Sequence, residues 1–269
     1  GLHGRMSSLA IGALFADKTL HAIGVSGDGD TASIGMGGFK HMVRRNAPIV
    51  YIIENNGVYG LTKGQFSATA EVGLNLKHQG INQYMPVDIC MEALASNATF
   101  VARSFAGDAK QVKELLKIAF SHRGIAVLDI ISPCVTFNNQ ENALHSYTWG
   151  KDHEAPLHEI SFIPVLDEIE LAGEFEEGAV REVSMHDGST VLLKKLEKDY
   201  DPTNRANAFQ MLERAQNNNW LVTGLLYIDE SKPSLTENFN LVETPLNRLS
   251  DLDLRPARDT IDKLNALMF

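Results

Sequence analysis

Between residues 20 and 131 four short apolar runs alternate with segments whose apolar residues recur at helical spacing. The runs are Leu20-His21-Ala22-Ile23-Gly24-Val25-Ser26, Pro48-Ile49-Val50-Tyr51-Ile52-Ile53-Glu54, residues 99–103 and residues 125–131. They are apolar nearly throughout, without the in-and-out alternation of a strand that has one wet face, so each is expected to be buried on both faces. Residues 5–16, 31–45, 89–97 and 108–121 read as the intervening helices, with Leu9, Ile11, Leu14 and Phe15 marking the first. The helix at 31–45 is the weakest, since Gly35, Gly37 and Gly38 each cost it about 1 kcal/mol relative to alanine. Strands and helices in this order predict an α/β fold with an open, mostly parallel sheet covered on both sides.

The pattern changes near Ser132-Pro133. A polar stretch covers 138–152, and β-type runs at 179–185 and 190–194 flank His186-Asp187-Gly188-Ser189, a hairpin signal. A helix is expected over 204–216, a strand over 220–228, and a polar surface segment with Pro233 and Pro245 over 229–256. The chain ends in an amphipathic helix at 258–269 with Ile261, Leu264, Leu267 and Met268 on one side. The expected organisation is a domain at 1–140 and a C-terminal extension at 141–269 that packs on it or on a partner. With 24 Lys and Arg against 34 Asp and Glu the net charge is −10, which argues against a nucleic-acid groove. No apolar run approaches the ~18 to 20 residues that span a bilayer, so no membrane partner is expected. Gly1-Leu2-His3-Gly4-Arg5 has no initiator Met and no signal-peptide order, and reads as the cut end of something longer. Two cysteines, Cys90 and Cys134, make no disulfide framework, and the expected compartment is a reducing cytoplasm.

The residues that carry chemistry are Gly27-Asp28-Gly29-Asp30 and Asn55-Asn56-Gly57-Val58-Tyr59-Gly60. The first group follows the first strand and opens a helix, and the second follows the next strand. Both therefore reach the carboxyl edge of the sheet, where open α/β folds bind ligands. The pair suits a diphosphate held through a divalent metal. Gly27 and Gly29 let the backbone approach phosphate oxygens, and the helix start near Thr31 offers unpaired N–H groups. Mg²⁺ takes about six hard oxygen ligands; Asp28 supplies a carboxylate, Asn56 an amide oxygen and Val58 its carbonyl. Either motif alone is compatible with an ordinary turn or loop. Together, with twenty-five positions between Gly29 and Asn55, they resemble the thiamine-diphosphate signature.

Gly1-Leu2-His3-Gly4-Arg5, Gly27-Asp28-Gly29-Asp30, Tyr59-Gly60-Leu61-Thr62-Lys63-Gly64-Gln65 and Ser132-Pro133-Cys134-Val135-Thr136-Phe137-Asn138 occur in this order. The set resembles the β subunit of 2-oxoacid:ferredoxin oxidoreductases, and His186-Asp187-Gly188-Ser189 through Tyr200-Asp201-Pro202-Thr203 resembles that family's C-terminal segment. The resemblance implies an enzyme subunit that decarboxylates a 2-oxoacid oxidatively with coenzyme A, giving acyl-CoA, CO₂ and reduced ferredoxin. The long segment after Cys134 leans toward the 2-oxoglutarate branch. By similarity Asp28, Asn56 and the Val58 carbonyl hold Mg²⁺, while Gly27, Gly29 and Asp30 surround the diphosphate. Lys63 belongs to a loop that faces the substrate and coenzyme A side in relatives, or is a plain surface lysine. The carboxylate beside the aminopyrimidine ring is implied to come from a partner α subunit, with the active site between the two chains.

Relatives also ligate a [4Fe–4S] cluster, which needs four thiolates, through a Cys-x-x-Cys upstream and the cysteine matching Cys134. This sequence holds Cys90 and Cys134 alone, so either it is truncated before Gly1 or the cluster is missing. Cys134 is the candidate ligand, or a free thiol in a loop; Cys90, between Ile89 and Met91, reads as core. Two other readings stay open: one half of a non-oxidative thiamine-diphosphate decarboxylase or carboligase, and a non-catalytic assembly subunit. His145, His153 and His158 match no strong metal-ligand spacing, and His3 either cradles the cofactor or makes a structural hydrogen bond. Arg44 and Arg45 are expected to cap a helix before Pro48, Glu174, Glu176 and Glu177 to be solvated, and Val183, Met185, Val191 and Leu193 to form hairpin core.

Overall fold

The computed structural model describes residues 2–164, 180–195 and 200–268. Gly1, Ala179, Phe269 and the acidic residues Glu174, Glu176 and Glu177 lie outside the described residues, as does the side chain of Leu193. Helix α1 (Met6–Ala16) leads into β1 (Ala22–Gly27). A π-helical turn at Gly29–Ile34 runs into α2 (Met36–Arg44), and β2 (Ile49–Asn55) follows. Two small hairpins occupy the next loop, β3 (Val58–Tyr59) with β4 (Gln65–Phe66) and β5 (Asn75–Leu76) with β6 (Gly80–Ile81). Then come α3 (Ile89–Ala95), β7 (Phe100–Phe105), α4 (Ala109–Ser121) and β8 (Ala126–Ile131). The second half supplies α5 (Tyr147–His153), β9 (Glu154–Pro156), β10 (His158–Ile163), β11 (Val180–Ser184) and β12 (Thr190–Lys195). It ends with α6 (Arg205–Asn218), β13 (Leu221–Ile228), α7 (Leu235–Asn238), α8 (Asp251–Leu254) and α9 (Arg258–Met268).

The main sheet has the order β1-β2-β8-β7-β13-β9. Its first four strands are mutually parallel, β13 runs antiparallel to β7, and β9 pairs parallel with β13. The expected mostly parallel sheet is present, and two of its six strands, β13 and β9, come from residues beyond 141. Every residue of β13 is buried, as a strand flanked on both sides and covered on both faces must be. The segment between Asn55 and α3 contains the small hairpins, and α5, β9 and β10 stand in or beyond the stretch read as polar.

One face of the sheet carries α1, α2, α3 and α6, with Phe39, Met42 and Val43 of α2 packed in one core with Tyr51 and Ile53. The other carries α4 and the three-stranded β10-β12-β11 sheet, where Leu115, Ile118, Val183, Met185 and Val191 join Phe100 and Leu128. Burying each such side chain contributes about 1.5–3 kcal/mol. The β11–β12 hairpin is centred on the expected turn, with Ser184 opposite Thr190.

Caps fix where the helices begin. Asp88 accepts the Met91 N–H at 3.0 Å and Asp108 the Gln111 N–H at 3.0 Å, each worth about 1 kcal/mol. His41 and Arg44 lie in the last turn of α2, and Arg45 is its C-terminal cap. Below the sheet, Asn46 adopts φ +52° and accepts from Ile125 N and Thr99 Oγ1, while its Nδ2 donates to Pro233 O. One side chain thereby ties the α2–β2 turn, two strands and the 229–239 segment together. Helix α9 is exposed along its length, its apolar stripe included. No helix among the described residues is long and apolar enough to cross a membrane.

Candidate functional site

The carboxyl ends of β1 and β2 are neighbours in register, Gly27 opposite Glu54. The chain leaves each strand there, and Asp28 and Asn56 meet: the Asn56 N–H donates to Asp28 Oδ1 at 3.2 Å. Asp28 is 1% exposed. Its other oxygen, Oδ2, accepts from Thr69 Oγ1 at 2.8 Å and from Ser67 Oγ. Asn56 Oδ1 accepts the Val58 N–H at 3.2 Å. Val58 sits opposite Phe66 in the β3–β4 hairpin, while Ser67 N donates to Gly57 O at 3.1 Å. That register makes Val58–Phe66 a non-hydrogen-bonded pair, which leaves the Val58 carbonyl out of the ladder. The Asp28 carboxylate thus touches the backbone of the segment that carries the Asn56 amide oxygen and the ladder-free Val58 carbonyl.

The residues fit a hard divalent cation. Their donors are all oxygen, and a single carboxylate avoids repelling a diphosphate. Among the described residues no cluster of three or more His, Cys, Asp or Glu side chains offers a competing metal site.

The two glycines of the motif differ. A Cβ on Gly27 would meet nothing within 4 Å, so space is open beside it. A Cβ on Gly29 would lie 2.4 Å from the Tyr59 ring, whose hydroxyl donates to Gly29 O at 3.0 Å. Gly29 is therefore required by Tyr59. Beyond it the helix opens as a π-helical turn, with Gly35 N donating to Asp30 O at 2.8 Å; such wide turns recur at functional sites.

Asp30 faces the chain's first residues. Its Oδ1 bonds His3 Nδ1 at 2.7 Å and the Gly4 N–H at 2.8 Å, and its Oδ2 accepts from Ser26 Oγ at 2.9 Å. His3 makes the structural hydrogen bond that was one of its two expected roles. Lys63 is exposed at the tip of the β3–β4 hairpin, with φ +73°, a left-handed conformation uncommon outside glycine. Cys134 is half-buried in the loop after β8, its Sγ 3.6 Å from where a Cβ on Gly60 would stand.

Behind the motif lies a polar layer that sequence reading did not anticipate. Asn138 is fully buried, and its Nδ2 donates to the Asn56 carbonyl at 2.8 Å. A Cβ on Gly57, whose φ is +76°, would meet that Nδ2 at 3.0 Å and the His145 ring at 3.1 Å. His145 Nε2 lies 3.3 Å from Asn55 Oδ1. Burial, opposed by the Asp28 charge and reinforced by Arg103, pulls the His145 pKa down to about 4, so the ring is neutral. Asn55 Nδ2 donates to Asp129 Oδ1 at 3.0 Å, and Arg103 bridges Asp129 Oδ2 at 3.0 Å and Asp88 Oδ1 at 2.8 Å. Burial raises the Asp129 pKa against the pull of Arg103. Cys90 touches this layer, Sγ 3.9 Å from Asp129 Oδ2, and burial drives its thiol pKa well up; it is core, as expected.

His145, His153 and His158 occupy three separate places. His145 is in the polar layer, His153 stacks on Trp149, and His158 Nε2 accepts the Leu225 N–H. Cavity size does not locate the chemistry. A 590 Å³ cavity lies between α4 and β10 and a 340 Å³ one at the amino edge of the sheet, whereas the cavity lined by Asn55, Thr69, Arg103 and His145 measures 150 Å³.

Comparison with known proteins agrees with this geometry. Residues 1–130 match the family model described as thiamine pyrophosphate enzyme, C-terminal TPP binding domain. Residues 192–244 match the model for the C-terminal part of the pyruvate ferredoxin oxidoreductase beta subunit. The chain is 44% identical over 142 residues to the 2-oxoacid:ferredoxin oxidoreductase subunit beta of Saccharolobus solfataricus, covering 51% of this chain and 46% of that protein. It is 39% identical over 142 residues to the 2-oxoglutarate oxidoreductase subunit KorB of Mycobacterium tuberculosis, covering 51% and 37%. These alignments span about half of the curated relatives or less. A solved structure, the 2-oxoglutarate:ferredoxin oxidoreductase from Magnetococcus marinus with 2-oxoglutarate, coenzyme A and succinyl-CoA bound, is similar over 98% of this chain and 74% of its own. Its TM-score is 0.71 and its identity 29%. With a match to the thiamine-pyrophosphate-binding domain at 1–130 and to the C-terminal part of the pyruvate ferredoxin oxidoreductase beta subunit beyond it, the chain is similar to the beta subunits of the 2-oxoacid:ferredoxin oxidoreductases.

Proposed function

We propose that this chain is the diphosphate-binding half of an enzyme that decarboxylates a 2-oxoacid oxidatively, with coenzyme A, to acyl-CoA, CO₂ and reduced ferredoxin. The observation that carries this reading is the meeting of Asp28 with Asn56 and the ladder-free Val58 carbonyl at the carboxyl edge of the sheet. 2-Oxoglutarate is the first candidate substrate, since relatives and the similar solved structure are named for it.

Asp28, Asn56 and the Val58 carbonyl would hold Mg²⁺. Gly27, with open space where a Cβ would be, and Gly29 would border the diphosphate. Asp30 contributes by fixing His3 and Gly4 against this loop. Lys63, exposed on the hairpin tip, would face substrate and coenzyme A. When bound, thiamine diphosphate supplies a carbanion and an electron sink. The chain's residues bind and orient its charged tail, while a partner α subunit would bring the carboxylate beside the aminopyrimidine ring. A [4Fe–4S] cluster needs four thiolates; Cys90 is sealed in the core, so three of the four would have to come from outside these 269 residues. Cys134 is available as one ligand, and no electron-transfer step is assigned to this polypeptide. The proposed compartment is the cytoplasm.

The test is reconstitution of the purified complex with Mg²⁺, thiamine diphosphate, coenzyme A and a viologen dye. Dye reduction with 2-oxoglutarate is expected. Reduction with pyruvate or branched 2-oxoacids only would reassign the substrate. No reduction with any of them, alongside CO₂ release that needs no coenzyme A, would replace the oxidative reading by a non-oxidative one.

A further inference from the structure

The Asp28 carboxylate is held by one backbone N–H of the second motif and by two hydroxyls outside both motifs, and their placement fixes which of its lone pairs remains free. A carboxylate offers about four acceptor sites. On Asp28 the backbone N–H of Asn56 takes one site on Oδ1, and the hydroxyls of Ser67 and Thr69 converge on Oδ2. The remaining site lies on Oδ1, the oxygen facing Asn56.

Both hydroxyl residues are themselves braced. Ser67 is 7% exposed and Thr69 5% exposed. Ser67 Oγ accepts the Thr69 N–H at 3.2 Å and lies 2.9 Å from Thr69 Oγ1. Ser67 N holds the Gly57 carbonyl, one residue from Asn56 and from Val58. Thr69 Oγ1 is also 2.9 Å from Asn55 Oδ1. The threonine has one hydroxyl proton, and the charged acceptor takes it, because hydrogen bonds to a carboxylate are roughly twice as strong as neutral ones. Asn55 Oδ1 is then left to His145 Nε2–H, and the neutral ring's Nδ1 to Asn138 Nδ2 at 3.5 Å. In this arrangement Asn55 Oδ1 and His145 Nδ1 each accept one proton.

We propose that Ser67 and Thr69 are positioning residues that aim Asp28 Oδ1 at the divalent ion held with Asn56 and Val58. The inference rests on the function proposed above. Without the two hydroxyls, Asp28 can rotate, and a bound ion must first order it. Partners that orient a metal ligand typically contribute 10- to 100-fold in metal affinity, and this is the size of effect expected here.

Mn²⁺ is the probe, titrated in the presence of thiamine diphosphate into the full chain in its purified complex and followed by electron paramagnetic resonance. Thr69→Val and Ser67→Ala are each expected to weaken Mn²⁺ binding by about 10-fold or more. Thr69→Ser is expected to restore it to within about threefold, the melting temperature of each variant staying near that of the wild type. At saturating Mn²⁺ the variants are expected to bind thiamine diphosphate nearly as well as the wild type, which a general loosening of the loop would not allow. Unchanged Mn²⁺ affinity in both variants, or no rescue by Thr69→Ser, would overturn the proposal. If Thr69→Val does not fold, Ser67→Ala alone decides. If the wild-type complex takes up no Mn²⁺ with thiamine diphosphate, the function proposed above falls, and this inference with it.

Discussion

His158 makes folding stability depend on acidity in a way that can be worked out from its surroundings. It is 3% exposed, and its Nε2 accepts the Leu225 N–H at 3.1 Å. That N–H lies at an irregularity of the β13–β7 ladder, where the register shifts between Leu225 and Tyr227 and Gly224 adopts φ +116°. The imidazole thus replaces a strand partner, and only the neutral ring can do so. Burial pulls its pKa from 6.5 to about 4. Between those values the unfolded chain binds the proton and the folded chain does not, so stability is full above about pH 6.5 and falls as the pH drops toward 4. At about 1.4 kcal/mol per pH unit the complete loss is about 3.4 kcal/mol, of which about 2 kcal/mol falls between pH 7.5 and 5. His145 contributes a similar slope. The informative quantity is therefore the difference between the wild type and His158→Gln, whose amide oxygen can accept the same N–H without titrating. Urea unfolding followed by Trp149 and Trp220 fluorescence at both pH values measures it. The variant is expected to lose about 2 kcal/mol less than the wild type on acidification. Equal losses, within about 0.5 kcal/mol, would show that His158 is not held neutral by the fold.

Gly29→Ala places a methyl 2.4 Å from the Tyr59 ring and is expected to cost about 1–3 kcal/mol by overpacking; combining it with Tyr59→Leu should recover part of the loss of melting temperature. Arg103→Met removes the cation between Asp88 and Asp129, leaving the buried Asp129 carboxylate without its counter-charge, and is expected to cost about 3–5 kcal/mol in urea unfolding. Breaking the half-buried Lys40–Glu92 pair at the protein surface should cost about 1 kcal/mol or less. Native alkylation should modify the half-buried Cys134 and spare Cys90, whose reaction should require unfolding; mass spectrometry of the two peptides distinguishes them.

Much of the site was legible because the chemistry sits at strand ends, and the strands announce themselves. The run at residues 49–53 reads as a strand buried on both faces, and β2 is one. The run at 20–26 reads the same way, but β1 is an edge strand with Ile23 and Val25 exposed, so one of its faces is open. Once it pairs with β2, the residues leaving the two carboxyl ends must meet, and Asp28 and Asn56 do. The break between the π-helical turn and α2 falls at Gly35, within the glycine cluster that weakened the helical pattern. Ser67, Thr69, Asn138 and His145 were not legible. They come from loops with no periodicity, and only loop closure around a buried carboxylate gives them a role. Strand β10 did carry a signal, since Ile160 and Phe162 alternate with Glu159 and Ser161, but its six residues follow a helix and a short strand just beyond the polar 138–152 stretch, where no strand is expected.

The most direct measurement is a calorimetric titration of thiamine diphosphate into the purified complex, with and without Mg²⁺, for the wild type and Asp28→Ala. Binding that requires Mg²⁺ in the wild type and disappears in the variant is the predicted result. Undiminished, Mg²⁺-dependent binding by Asp28→Ala would contradict it, because the only carboxylate among the proposed ion ligands would then be dispensable.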